Sequence, residues 1–376
     1  MAIQFAVLDS DFEVVAILDK YESMIWTERA QEAGDFELYT AVSDDLLDKL
    51  SLGRYLMCDT FYDRTNETAR LMIIEDREIR SDSESGNKLI VTGQDLKSIL
   101  QRRIVWKQTN VAKDTNVQTA IKTLIDDAIV SPTNTKRTIS NFVFDEITGT
   151  FGNIKEDAQY VGETLYEVMT DLCENYNLNY EVVVNFNTKE FHMHLVIPKD
   201  HTWEQTQNPP VIFSSKFNNL RNASYKNITS TSKNVALIHG EGDEYNMIKA
   251  DIGSDDNEGL SRREMFVNAS DLSQELEDGT IYSEETYRNM LITRGKKSLR
   301  EVNKDAEVYE GEADNSVSGY IYGKDYDIGD IVEIVNDYNI ESKVWVKEMV
   351  LSVSTTGETL VPTFETCKDE EEETTP

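Results

Sequence analysis

The sequence predicts a β-rich, α+β multidomain protein: two antiparallel β-barrel domains, an α+β domain between them, and a segment inserted into the second barrel. Three observations carry this prediction. Short β-branched and aromatic runs fill the first hundred residues, and helical periodicity takes over between residues 110 and 200. β texture then returns, interrupted once by an acidic stretch and a helix.

The first barrel is assigned to residues 1–109. IQFAVLDS, FEVVAIL, YESMIWTER, FELYT, RYLMCDT, RLMIIEDREI and KLIVTGQD alternate as half-buried strands do, and LDSD, EAGD, DRTNET and SDSESGN mark the turns. Seven strands in so short a span suggest a closed or nearly closed barrel, capped by a short helix in DLKSILQRRIVW.

Residues 110–205 form the α+β domain. Val117, Ala120, Ile121, Leu124, Ile125, Ala128 and Ile129 fall at helical spacing, with Asp114 or Thr115 placed to cap. Leu165, Val168, Met169, Leu172, Cys173 and Tyr176 repeat the pattern. LNYEVVVNF and FHMHLVIP then read as a hairpin turned through Asn-Thr, and HTWEQTQNPP as a linker.

Residues 206–240 and 305–366 supply the second barrel, around an insertion at 241–304. The insertion carries an acidic, glycine-containing loop and the helix SEETYRNMLITRGKKSLREV. Glu284 and Glu285 stand in that helix's first turn and Lys296, Lys297 and Arg300 near its end, as the helix dipole favours. Residues 367–376, with five consecutive acids from Asp369 to Glu373, read as a disordered acidic tail.

Seventy acidic residues against 37 basic give a net charge of −33. Such a surface repels nucleic acid and anionic lipid, which argues against specific DNA or RNA binding; it suits a wall along which DNA slides and equally a surface that only keeps the protein soluble. Three scattered cysteines, Cys58, Cys173 and Cys367, make neither a disulfide framework nor a structural zinc site. The N-terminus lacks the pattern of a signal peptide, and no run approaches the ~18 apolar residues that cross a bilayer, so synthesis in a cytoplasm without stable membrane insertion is expected.

Chemistry has few footholds. His192 and His194 share one strand face and so present a pair that a metal ion would accept. No histidine precedes residue 192, however, and His201 and His239 stand without an acidic pattern beside them. The pair reads better as the polar face of a strand, opposite Phe191, Met193 and Leu195. The acidic stretch 241–259 lacks the spacing of a helix-loop-helix calcium site and reads as a solvated loop, with weak divalent-ion binding as the alternative; Arg262 and Arg263 read as partners of local acids. Metalloprotease, nucleophile-elbow and phosphate-loop signatures are missing, so no catalytic, cofactor-binding or metal residue is assigned. A wall-glycan or peptide hydrolase is the alternative, resting on His192 and His194 or on an acid pair. A carbohydrate-binding adhesin is weaker: Trp26, Trp106 and Trp345 read as core or interface, leaving Trp203 as the exposed ring.

YGKDYDIGDIVEI (322–334) followed by SKVWVKEMVLSVSTTGETLVPTF resembles the closing barrel of siphophage tail-tip (baseplate) hub proteins of the tail-associated lysin type. VTGQDLKSILQRRIVW, RNASYKNITSTSKNVALIHGEGDE and GLSRREMFVNASDLS are similar to other stretches of that family, in the same order. The resemblance implies the fold of contractile-phage baseplate hubs, with two tube-forming barrels per chain and three chains per ring. It also implies a place at the virion tail tip. The implied partners are two further copies, a hexameric distal tail protein, the tape-measure protein, and receptor-binding proteins or a fibre. DNA would pass without specific contact. Since the chain stops at Pro376 just after the second barrel, it resembles a short form without a lytic or fibre domain, and lysin activity is not carried over.

Overall fold

A computed structural model describes residues 3–82, 86–155, 157–242, 247–275, 279–303, 307–313, 319–336, 338 and 341–367. The N-terminal part contains β1 (Phe5–Leu8), β2 (Val14–Leu18), β3 (Ser23–Arg29), β4 (Asp35–Ala41), α1 (Asp44–Lys49), β5 (Tyr55–Asp63), β6 (Thr68–Asp82) and β7 (Gly86–Asp95). These are the seven strands read from the sequence, plus a short helix that Ser43 caps by accepting from the Leu46 N–H. The alternation works as the pleat requires: in β4, Phe36, Leu38 and Thr40 point inward while the residues between them face outward. The inner face buries Phe5, Trp26, Phe36, Leu38, Leu56, Met72, Leu89 and Val91 in one cluster.

The middle part contains β8 (Thr109–Val111), α2 (Val117–Ile125), β9 (Phe142–Asp145), β10 (Ala158–Tyr160), α3 (Leu165–Asn175), β11 (Asn179–Asn185) and β12 (Glu190–Val196). The cap of α2 is Asn116, whose side chain accepts from Gln118 and Thr119, rather than Asp114 or Thr115. Asp114 instead adopts a left-handed turn with φ +65°. A π-helical turn, Asp126–Val130, extends α2, and α3 begins with a reciprocal capping box between Thr164 and Glu167. The apolar stripes of both helices pack with β9, β11 and β12 into the largest cluster, which also takes Leu8, Phe12, Ala69 and Leu71 from the N-terminal part.

The remainder contains β13 (Ile212–Ser214), β14 (Leu220–Asn227), β15 (Val235–His239), β16 (Lys249–Ile252), β17 (Glu264–Asn268), α4 (Glu284–Asn303), β18 (Glu307–Ala313), β19 (Ile331–Val335), β20 (Glu341–Ser354) and β21 (Gly357–Thr366). Two further clusters lie here. One gathers Phe213, Val332, Ile334, Val344, Val346 and Phe364; the other gathers Ala236, Ile238, Val267, Tyr287, Met290 and Leu291 beneath α4.

Two closed barrels do not form among the described residues. One sheet of 16 strands runs β14-β18-β21-β20-β3-β4-β7-β6-β11-β12-β9, with β5, β1 and β2 branching from β6, and β19 and β13 branching from β20. The N-terminal strands stay open because β2 pairs only with β1, while the free side of β3 is taken by β20. Strand length explains the fusion. The first part of β20 pairs with β19 and the last part with β3, so one 14-residue strand serves both β units. The described residues of 211–240 and 306–365 likewise do not close into a second cylinder.

Two boundaries also differ from the sequence reading. β15 pairs with β16 and β17 under α4, not with the second β unit. The proposed linker is anchored: His201 and Thr202 are buried, Ile331 N–H donates to the Lys199 carbonyl, and His201 N–H donates to that of Ile331. The acidic tail beyond Cys367 lies outside the described residues.

Gly93 shows how tightly the fused sheet is packed. It faces Phe36 on β4 and Ile74 on β6, and a Cβ there would sit 1.8 Å from the Ile73 carbonyl oxygen. Gly93→Ala should cost about 3 kcal/mol of unfolding free energy in urea titration, because backbone rather than a flexible side chain must yield. Gly86→Ala, at a φ of +80° with open space around it, should cost about 1–2 kcal/mol.

Candidate functional site

The histidine pair lies on β12. Phe191, Met193 and Leu195 are buried on one face of β12, and His192 and His194 stand half-buried on the other. Strand register gives each its own partner. His192 Nδ1 lies 2.7 Å from Asp145 of β9, while His194 Nε2 lies 3.7 Å from Glu181 of β11. Among the described residues no group of three or more His, Cys, Asp and Glu side chains is arranged to hold a metal. His201 sits 3.4 Å from Asp330, and the His239 ring packs edge-on against Phe266.

Other sequence candidates separate similarly. Arg262 pairs with Glu264, while its Nη1 donates to the Ser254 carbonyl at 2.7 Å. The acidic stretch 241–259 contributes β16, and its residues 243–246 lie outside the described residues. Cys58 and Cys173 are fully buried, which pushes the Cys58 thiol up to about 12 and the Cys173 thiol higher still. Trp26 is core and Trp345 is half-buried, but Trp106 is 72% exposed, close to the 70% of Trp203. Trp106 follows the 3-10 turn Leu96–Arg102 rather than continuing a strand, and Arg137 lies 5.5 Å over its ring.

Periodicity missed the buried charges where three clusters meet. Arg70 of β6 contacts Glu181 of β11, with Glu28 of β3 at 3.9 Å and Asp327, in the turn before β19, at 3.5 Å. Burial works against ionised Glu181, but Arg70, His194 and Lys97 outweigh it and hold its pKa below the usual range. For Glu28 burial wins over Arg70, and the pKa is raised. Lys97, also buried, donates to the carbonyls of Arg29, Ala30 and Glu32 at 2.5, 2.9 and 3.1 Å. Asp95 accepts from the Gly34 N–H at 2.9 Å. Lys97 and Asp95 thus fix the β3–β4 loop. Only a charged residue within an apolar run, as in ARLMII and DLKSIL, hinted at this role.

The loop forms one wall of a cleft of about 740 Å³. Tyr166 of α3 accepts from the Ala33 N–H at 2.8 Å, and Gln31 donates to the Leu178 carbonyl at 3.0 Å. The end of α4 (Lys297, Arg300 and Glu301) and the β20–β21 edge (Trp345, Lys347, Glu365 and Thr366) complete the walls. All three long segments of the polypeptide therefore converge here.

The turn Asp327-Ile328-Gly329-Asp330 shows why the D-x-G-D pattern has that form. Asp330 is buried and accepts from the Asp327 and Lys199 N–H groups, both at 2.8 Å. Gly329 has φ +83° and donates to the Val346 carbonyl; a side chain there would also strike Asn179.

Two outcomes follow from these charges. Arg70→Met leaves Glu28, Glu181 and Asp327 without their shared cation and should cost about 3–5 kcal/mol near neutral pH in urea titration. Burial also raises the pKa of Asp95, Glu163, Glu174 and Asp330, over the opposition of Lys97, Lys297, Arg300 and the two N–H donors respectively. These carboxyls and Glu28 bind protons more tightly folded than unfolded. The native protein should therefore gain stability as pH falls from neutral toward the ordinary carboxylate value near ~4, with Glu181 opposing the trend. A higher urea midpoint at about pH 5.5 than at about pH 7.5 is the expected reading.

A family described as Siphovirus ReqiPepy6 Gp37-like protein matches residues 4–364. No curated protein matches the sequence. In fold the protein is similar to the 43 kDa tail protein of prophage MuSo2 from Shewanella oneidensis, at 11% identity and a TM-score of 0.56, covering 96% of this chain and 97% of that one. It is similar to the tail protein of Neisseria meningitidis MC58, at 14% identity and a TM-score of 0.56, covering 98% and 97%. It is also similar to the prophage tail protein gp18 of Listeria monocytogenes EGD-e, at 12% identity and a TM-score of 0.51, covering 98% and 95%. At these identities the likeness is one of fold. The sequence match runs almost from end to end, and the chain belongs to the Siphovirus ReqiPepy6 Gp37-like protein family.

Proposed function

We propose that this protein is a structural virion component, the hub at the tail tip of a long-tailed phage. Three copies form a ring that adapts a sixfold tail tube to a threefold tip. The ring closes the channel and opens to release the tape-measure protein and DNA. The observation that carries this reading is a siphovirus family match over residues 4–364, in a protein whose fold is similar to solved phage tail proteins along nearly its whole length.

Symmetry supports the trimer. A protomer with two β units lets three copies offer six comparable faces to a hexameric distal tail protein. The β3–β20 ladder holds the two units in one sheet, which would keep the spacing of those faces constant. The domains in this reading are 1–109, 110–205, a second β unit at 206–233 and 305–366, and an insertion at 234–304 that takes β15 with it. Each copy brings a net charge of −33, which keeps a DNA conduit from adhering to its cargo. Receptor-binding proteins or a fibre would attach below the ring. No residue is given a catalytic role.

Light scattering on the purified protein, alone and with its distal tail partner, should give a mass of three times 42.9 kDa for the hub component. Imaging of the particle should show threefold density beneath the tube. A strict monomer in both preparations would overturn the trimer. A clearing zone on bacterial wall material, abolished by His192→Ala with His194→Ala, would replace this reading with the hydrolase.

A further inference from the structure

The cleft where α3, α4, the β3–β4 loop and the β20–β21 edge meet is lined by buried polar groups. Asn179 is only 2% exposed, yet neither its Oδ1 nor its Nδ2 has a hydrogen-bond partner among the described residues. Thr366 Oγ1 and Arg300 Nε are buried and likewise make no hydrogen bond among them, and all three residues line this cleft. Unmet polar atoms of this kind are costly, and three such side chains in one cavity are unusual. A carboxamide offers one acceptor and one donor side by side, the complement of a backbone carbonyl and a backbone N–H. Trp345, Ile331 and Tyr166 add apolar wall between the polar points.

Charge selects the occupant further. Seven carboxylates and four basic side chains line the cleft, and each base is already in an ion pair. Arg29 is held by Asp35 and Glu348, Lys297 and Arg300 by Asp171, and Lys347 by Glu365. The surplus is negative. Burial disfavours the ionised forms of Glu163 and Glu174, so an arriving cation would relieve a cost already present. The protein's own C-terminal stretch follows Cys367 but carries five consecutive acids, which a carboxylate-lined cleft would repel.

We propose that this cleft is the docking site for an extended, lysine- or arginine-bearing segment of a different polypeptide, its cations met by the carboxylate walls and its entry bringing partners to the unpaired polar atoms of Asn179, Arg300 and Thr366. The site does not depend on the hub reading, since it concerns one protomer and its filling is measured without assembly.

Cys367 lines the cleft and is half-buried, whereas Cys58 and Cys173 are fully buried, so the protein has its own reporter. The rate of Cys367 alkylation would be followed on the full-length protein with a synthetic peptide of alternating lysine and serine, and with its glutamate counterpart. The lysine peptide should slow labelling and the glutamate peptide should not. Thr366→Val keeps the side-chain shape and loses one hydrogen bond, and should weaken the protection about fivefold. Glu174→Gln should weaken it by a similar factor, with less dependence on salt. Equal labelling with both peptides overturns the proposal. Protection that survives both substitutions unchanged means that the peptide sits elsewhere on an acidic surface, and overturns it too. Without peptide, faster labelling after removal of residues 368–376 would give the cleft to the protein's own tail. Slower labelling at higher protein concentration would give it to a second copy.

Discussion

The Arg70 guanidinium is the point on which the architecture turns. It lies on β6 and faces carboxylates from β3, from β11 and from the turn that opens β19, so one cation is shared by elements of three hydrophobic clusters. A buried ion network contributes less to stability than its Coulomb energy suggests, because desolvation offsets the attraction. It is nonetheless selective. Apolar surfaces tolerate sliding, whereas a guanidinium with three carboxylates has few arrangements that leave no buried charge uncompensated.

The second constraint is β20. Its 14 residues exceed what one small sheet uses, and the surplus pairs with β3. Two β units thereby become one sheet, with Arg29 bonded to Asp35 on one side and to Glu348 on the other. Fusing the units in this way leaves space where the β20–β21 edge passes α3 and α4, and that space is the cleft. Lys97 then secures the facing loop through three backbone carbonyls. Network, shared strand and cleft are thus successive results of bringing distant segments together.

Much of the local structure was legible. The seven N-terminal strands, the helices built on Leu124 and Leu172, the Glu284–Asn303 helix and the Glu190–Val196 strand with its histidines outward all follow from periodicity and capping chemistry, which act over a few residues. Errors gathered where a longer-range effect decides. Trp106 reads as core or interface, yet it follows the 3-10 turn that ends at Arg102 and stands exposed. Val235–His239 has the composition of any strand, and only the proximity of β16, β17 and α4 decides its sheet. HTWEQTQNPP has the composition of a linker, but burial of His201 and Thr202 and a backbone hydrogen bond from His201 to Ile331 make it part of the packed structure.

By itself the sequence determined the secondary elements, the clustering of apolar faces, the acidic surface and the absence of a recognised catalytic motif, because each is written in residue type and short spacing. Tertiary structure decided that the β units share one sheet, that His192 and His194 answer to different carboxylates, and that Asn179, Arg300 and Thr366 meet around one cleft. Those outcomes depend on pairings between residues far apart in sequence, and nothing in composition or periodicity fixes which distant strand edge or charge will be the partner.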